Sequence, residues 1–231
     1  MDKNTTLYTI LFSFVVTFFF VIILSIVNTG TKSLVENNEK LKISSAVLET
    51  IGIEADESEI LDKFSLLNKY EFVDGKKGNQ IEQNIFEYLK EGHLLNDVLF
   101  EYQRDNDIIY AKGFSGPALW GNVDTFLAFN QDISKILGFG VLDQEETPGL
   151  GARIEETWYK NQFKEQSIPE QPFAENEKFS LYLNFFGGLK SQEDKEDGAV
   201  DSITGATRTT DGINAIVNRA ISEMKSFKGG N

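Results

Sequence analysis

Residues 97–114 read DVLFEYQRDNDIIYAKGF. Two runs rich in aromatic and β-branched residues, "DVLFEYQ" and "DIIYAKGF", flank the polar turn "RDND". That pattern predicts a β-hairpin. Just downstream, "NVDTFLAFN" and "SKILGFGVL" form a second β-rich pair around "QD". Strands adjacent in sequence, with helical patterns before and after, predict an α+β fold built on an antiparallel sheet with packed helices. On the upstream side, "ADESEILDKFSLLNKY" and "NQIEQNIFEYLKEG" read as short helices. Downstream, "RIEETWYKNQF" reads as a helix, "KFSLYLNFF" as a strand and "KSQEDKEDG" as a solvated charged loop. At the far end, Ile213, Ile216, Val217, Ala220, Ile221 and Met224 recur at helical spacing. One face of that last helix must pack on the sheet.

The other end of the chain is different in kind. Leu7–Val27, "LYTILFSFVVTFFFVIILSIV", carries no charge and is long enough to cross a bilayer as a helix. A cleaved signal peptide has a shorter apolar run and a small-x-small site. This run is longer and no such site follows, so an uncleaved transmembrane helix is expected. Thr9, Ser13 and Thr17 share one helix face. That face either packs against other membrane helices or is simply tolerated, its hydroxyls bonding back to the preceding turn. Lysines flank both sides, so loop charge leaves the orientation open. A short tail before the span fits an anchor that places the large domain on the extracytoplasmic side. Gly30 is expected to end the helix. The domain division read from these patterns is 1–30 as transmembrane anchor, 31–95 as a helical connecting region and 96–231 as an α+β domain.

Composition narrows the chemistry. The formal net charge is -14, from 36 acidic and 22 basic residues. Nucleic acid is excluded as a partner, because phosphate binding needs clustered Lys and Arg. The absence of cysteine removes disulfides, iron–sulfur ligation and thiolate catalysis. The single histidine, His93, lies in the polar stretch "EGHLLND" and reads as a surface residue. No metal site and no catalytic residue of the chain's own is expected. Any redox chemistry must come from a bound organic cofactor.

Two short motifs are candidates for holding one. "DSITGATRTTDGINAIVN" runs from Asp201 to Asn218 and places a Thr-Gly-Ala-Thr turn directly before the terminal helix. Free N–H groups and the helix dipole favour a phosphate there. Gly205 and Ala206 let the backbone approach a ligand, and Thr204 and Thr207 supply hydroxyls. Thr209, Thr210 and Asp211 read as capping and first-turn residues. Helix capping alone would also explain this composition. The second motif, "ETPGLG", covers Glu146–Gly151. Pro148 then Gly149 fits a type II turn with positive φ at Gly149, and Leu150 offers an apolar side chain for a flat ring. A plain strand-to-helix connection is the alternative.

The two motifs in this order, behind a membrane anchor, resemble the RnfG/NqrC family of membrane-anchored flavoproteins. The resemblance runs from the anchor to the terminal helix and is strongest between Gly113 and Asn218, where "GFSGPALWG" around Trp120 resembles the family's Gly-rich, Trp-containing segment. It implies FMN joined through its phosphate to Thr207, with Thr204, Gly205 and Ala206 completing the motif. Asp201 matches the acidic residue upstream, and Glu146, Thr147 and Leu150 match the segment that approaches the flavin. A threonine hydroxyl is a poor nucleophile without a base, so a separate flavin transferase is implied as a partner.

The function that follows from the resemblance is electron transfer within a membrane-bound, ion-translocating oxidoreductase, alongside its other membrane subunits. The compact soluble region favours the Rnf type. The alternatives are an NqrC-type subunit of a Na⁺-translocating NADH:quinone reductase and a stand-alone anchored flavoprotein. From another class comes a cofactor-free envelope binding protein. The expected location is the cytoplasmic membrane.

Overall fold

The computed structural model describes residues 6–171, 183–186, 195 and 198–229. The chain divides into two compact units, Met1–Leu41 and Lys42–Asn231. Helix α1, Thr6–Thr50, begins in the first and ends in the second. Its apolar window has a mean hydropathy of 3.0 and buries nothing within the protein, so by length and composition it can cross a membrane. The helix runs straight through Gly30, where an ending was expected. One glycine costs a helix only about 1 kcal/mol against alanine, too little to end a helix that continues to Thr50.

The second unit is built on a seven-stranded sheet of order β2-β1-β3-β4-β5-β6-β7. Its strands are β1 Asn68–Val73, β2 Lys76–Gln80, β3 Val98–Arg104, β4 Asp107–Pro117, β5 Asn122–Asn130, β6 Lys135–Asp143 and β7 Gln166–Ser167. Every neighbouring pair is antiparallel. The two predicted hairpins are β3–β4 and β5–β6. The first closes through Asp105 at φ 51, in the left-handed region that Asp tolerates.

Register assigns the faces. Leu99, Lys112, Leu127 and Phe139 lie opposite one another across β3 to β6. Leu99, Leu127 and Phe139 join a core with helix α5, Thr207–Gly229, through its residues Ile213, Val217, Ala220, Ile221 and Met224. The larger of these side chains are buried, each contributing about 1.5–3 kcal/mol. Their neighbours point the other way, as strand geometry requires. Phe100 meets Phe64 at 5.6 Å and Phe126 at 6.0 Å. Gly138 and Gly140 admit the end of α1 so closely that a Cβ on Gly138 would lie 2.0 Å from the Thr50 carbonyl oxygen. The sheet is thus sandwiched between α5 and a layer that includes the last turns of α1 and helix α2, Ile60–Ser65.

The stretch 31–95, expected as a helical connection, contributes β1 and β2 to this sheet, so the domain begins well before residue 96. Helix α2 ends at Ser65 because Lys69 donates to the carbonyls of Phe64 and Leu67, and Tyr70, Phe72 and Val73 favour strand. Helix α3, Ile85–Lys90, starts where the Asn84 side chain accepts from the Phe86 N–H at 2.9 Å. Both sheet rims are guarded. β2 is short, polar and carries Lys76 and Lys77. At the other rim Ser167 N–H donates to the Lys195 carbonyl at 2.8 Å.

Beyond β6, a single 3₁₀ turn, Gly151–Glu155, and helix α4, Thr157–Asn161, replace the one expected helix. Residues 178–182 of the expected strand lie outside the described residues; its end forms β8, Asn184–Phe186, paired in parallel with β9, Ala199–Asp201. Most of "KSQEDKEDG" also lies outside the described residues. Lys195, within it, caps α4 by donating to the carbonyls of Asn161 and Gln162 at 2.8 and 2.9 Å.

Candidate cofactor site

Two tight turns meet at the start of α5. In the first, Leu150 N–H donates to the Thr147 carbonyl at 3.1 Å, with Gly149 at φ 75. This is the type II turn that Pro148-Gly149 predicts. In the second, Ala206 N–H donates to the Ile203 carbonyl at 3.0 Å, with Gly205 at φ 82. The turns touch: a Cβ on Gly205 would lie 3.4 Å from Leu150 Cδ2. Thr210 closes the second turn, its hydroxyl accepting from Ile203 N–H at 3.3 Å and donating to the Ala206 carbonyl at 3.1 Å. Thr204 and Thr207 are exposed, whereas Ala206 is buried. Thr207 is the first residue of the 23-residue helix α5, so its side chain stands beside N–H groups that have no intrahelical partner.

A third segment joins them. Trp120 lies in the β4–β5 loop, where Ala118 N–H donates to the Gly121 carbonyl at 2.8 Å. The Trp120 indole N–H donates to Thr147 Oγ1 at 2.9 Å, which fixes the ring beside the first turn. The indole is 66% exposed, Leu119 49% and Leu150 45%. Exposed apolar side chains of this size, next to two outward hydroxyls and a helix N-terminus, suit a ligand with a flat apolar body and a phosphate.

Beneath them lies Glu146, only 4% exposed. Its Oε1 accepts from the backbone N–H groups of Leu119 and Trp120, both at 2.9 Å. Its Oε2 accepts a short bond from Thr209 Oγ1. Among the described residues no Lys or Arg pairs with it; hydrogen bonds alone hold the charge. Asp201 is also buried, and its backbone is gripped by Gln162, whose Oε1 accepts from Asp201 N–H at 2.7 Å.

The sequence-predicted residues therefore divide. Trp120, Thr147, Gly149, Leu150, Thr204, Gly205 and Thr207 gather at one surface. Glu146, Ala206 and Asp201 support that surface from below. Thr209, expected as a cap, is instead the partner of Glu146. Gln162 and Leu119 carried no sequence signal, because each acts through contacts remote in sequence. His93 is exposed and stacks on Tyr88 at 3.8 Å, with no bond to any residue of the site. A separate cleft of about 440 Å³ between the end of α1, β6 and α4 contains none of the predicted site residues and is crossed by the Lys160–Glu49 ion pair.

Residues 119–222 match the family model of the FMN-binding domain. The match begins beside Trp120 and ends within α5, so it takes in every segment of the site. The chain is 34% identical over 116 residues to the NqrC subunit of the Na⁺-translocating NADH-quinone reductase from Chlamydia muridarum, covering 46% of this chain and only 35% of that protein. It is 24% identical over 215 residues to the corresponding subunit from Vibrio vulnificus, covering 83% of this chain and 81% of that one. Among solved structures, the same subunit of the Parabacteroides distasonis enzyme shares the fold, with a TM-score of 0.62 and 23% identity over 85% of this chain and 96% of that one. These relatives are NqrC subunits, which does not bear out the expected Rnf type. A compact soluble region does not separate the two branches. The domain implies FMN as the cofactor.

Proposed function

We propose that this chain is the FMN-carrying subunit of a Na⁺-translocating NADH:quinone reductase-type complex, with the flavin esterified through its phosphate to Thr207. The observation that carries the reading is the junction of the two turns. Thr207 stands exposed at the start of a long helix, and Leu150 and Trp120 present apolar surface beside it. The named relatives support the Nqr type.

Each residue then has a distinct task. Thr207 Oγ1 holds the phosphate by a covalent bond, and the free N–H groups of the first α5 turn stabilise the phosphate charge. Leu150 and Trp120 would offer apolar surface to the ring and restrict its orientation. The bound flavin would supply one- and two-electron chemistry that the side chains lack. Ester formation needs an activated flavin phosphoanhydride. The Thr207 oxygen takes the phosphoryl group, its proton passes to a base of the transferase, and the other half of the anhydride leaves. Among the described residues near Thr207 there is no histidine to act as that base, which favours a separate transferase.

The reading places the domain on the extracytoplasmic side, held by α1 against the complex's other membrane subunits. The full chain, expressed with a flavin transferase, should give a denatured band that fluoresces under ultraviolet light. The Thr207→Ala variant should give none, and a tryptic peptide spanning Thr207 should carry the mass of FMN. An unmodified Thr207 peptide from fluorescent wild-type protein would refute the attachment. Gentle solubilisation should recover polytopic partners, whereas a solitary chain would refute membership of a complex.

A further inference from the structure

We infer that Glu146 is a positioning residue, which locks the Trp120 loop to the first turn of α5 and so fixes the ring-facing surface relative to Thr207. The inference rests on the reading of Thr207 as the flavin's attachment point. Two segments converge on this one carboxylate. Oε1 takes the two consecutive N–H groups of Leu119 and Trp120 at 2.9 Å each, and Oε2 takes the Thr209 hydroxyl. Thr209 is fully buried and sits two residues after exposed Thr207, on the same helical turn. Whatever holds Thr209 therefore holds the tether.

The packing around the carboxylate leaves no slack. A Cβ on Gly151 would lie 2.5 Å from Thr209 Oγ1 and 2.6 Å from Glu146 Oε2, so the final glycine of "ETPGLG" makes room for this contact. The Glu146 N–H is itself fixed, donating to Gln144 Oε1 at 2.6 Å. Next in sequence, Thr147 accepts from the Trp120 indole at 2.9 Å. The same loop is thus held at its backbone by Glu146 and at its side chain by Thr147. A flat group tied at Thr207 gains a defined orientation only if Trp120 and Leu150 keep a fixed relation to that tie. Glu146 supplies the relation while remaining beneath the surface, shielded from solvent. Charge-assisted hydrogen bonds of this kind are among the stronger ones available to a side chain.

The test uses the full chain in detergent, expressed with a flavin transferase, as wild type, Glu146→Ala, Glu146→Gln and Thr209→Val. Two readouts are taken: fluorescence anisotropy of the attached flavin, and amide exchange of the peptide containing Leu119 and Trp120. Glu146→Ala should keep the covalent flavin but lower its anisotropy toward that of a freely rotating tethered ring. Its Leu119 and Trp120 amides should exchange on the order of tenfold faster or more. Glu146→Gln retains an acceptor for both amides and offers Thr209 a donor, so it should restore both readouts, which a general loss of stability would not do. Thr209→Val should loosen the ring in part, and serves if Glu146→Ala fails to fold. Wild-type anisotropy and exchange in Glu146→Ala, or in Thr209→Val where the alanine variant is unfolded, would overturn the inference. Equal loss in the Gln and Ala variants would overturn it too. A wild-type chain without covalent flavin would instead refute the attachment at Thr207, and the exchange readout would still report on the lock.

Discussion

The two glycines of "ETPGLG" should respond unequally to the same added methyl group. Gly149 has φ 75 and nothing within 4 Å of its ideal Cβ, so Gly149→Ala meets only backbone strain. That cost is about 1 kcal/mol. At Gly151 no positive φ is involved, but the new Cβ would lie 2.5 Å from Thr209 Oγ1, 2.6 Å from Glu146 Oε2 and 2.9 Å from Glu146 Cβ. Overpacking a tight site costs about 1–3 kcal/mol. Parting Thr209 from a buried carboxylate adds about 1–3 kcal/mol. Gly151→Ala should therefore cost about 2–6 kcal/mol in total, several times the cost at Gly149. In a domain of this size each kcal/mol lowers the melting midpoint by roughly 2–4 °C. Thermal unfolding of the full chain in detergent, followed by tryptophan fluorescence, should show a small drop for Gly149→Ala and a drop several-fold larger for Gly151→Ala. Equal drops, or a larger one at Gly149, would refute the claim that Gly151 is there for space and Gly149 for conformation.

Other expectations concern the sheet. Lys112 is buried against Phe72 and Phe114, near Glu223 at 3.2 Å and also influenced by Asp97 and Arg219; burial lowers its pKa from 10.5, with Glu223 opposing. The unfolded chain thus binds the proton more tightly, so the stability of wild type minus that of Lys112→Met should rise as pH climbs through the folded pKa toward 10.5, and a flat difference in urea denaturation would refute this. Tyr159 is fully buried, its pKa is pushed up by that burial, and its hydroxyl has no hydrogen-bond partner among the described residues. Tyr159→Phe should leave stability unchanged or raise it by about 1 kcal/mol in the same assay, and a loss of about 2 kcal/mol or more would show a partner at work.

The parts of this molecule that depend on neighbours in sequence were legible in advance. The hairpin of β3 and β4 follows from alternation around a short polar turn, and the Pro148-Gly149 turn follows from φ preferences of two adjacent residues. The apolar stripe of α5 was equally local. What escaped depends on distant partners. Glu146 and Thr209 are 63 residues apart, and Gln162 and Asp201 are 39 apart. Nothing in either local pattern says that a glutamate in a turn will accept from a threonine in a helix. The strands β1 and β2 were hidden for a related reason. "NKYEFV" and "KKGNQ" are mostly half-exposed or polar, and pairing with β3 and with each other completes what the local preference of Tyr70, Phe72 and Val73 only begins. Gly30 misled through the opposite error, a local signal too weak to oppose its helical surroundings.

The guarded rims of the sheet bear on how this chain behaves in company. A multi-subunit assembly brings copies and neighbours to high local concentration, where open strand edges invite polymerisation. Here one border repels newcomers with lysine charge and the opposite one is two residues long with its amide already spent on Lys195. On the proposed reading, other subunits would be met through side chains and helices rather than by extending the sheet, which would keep association selective.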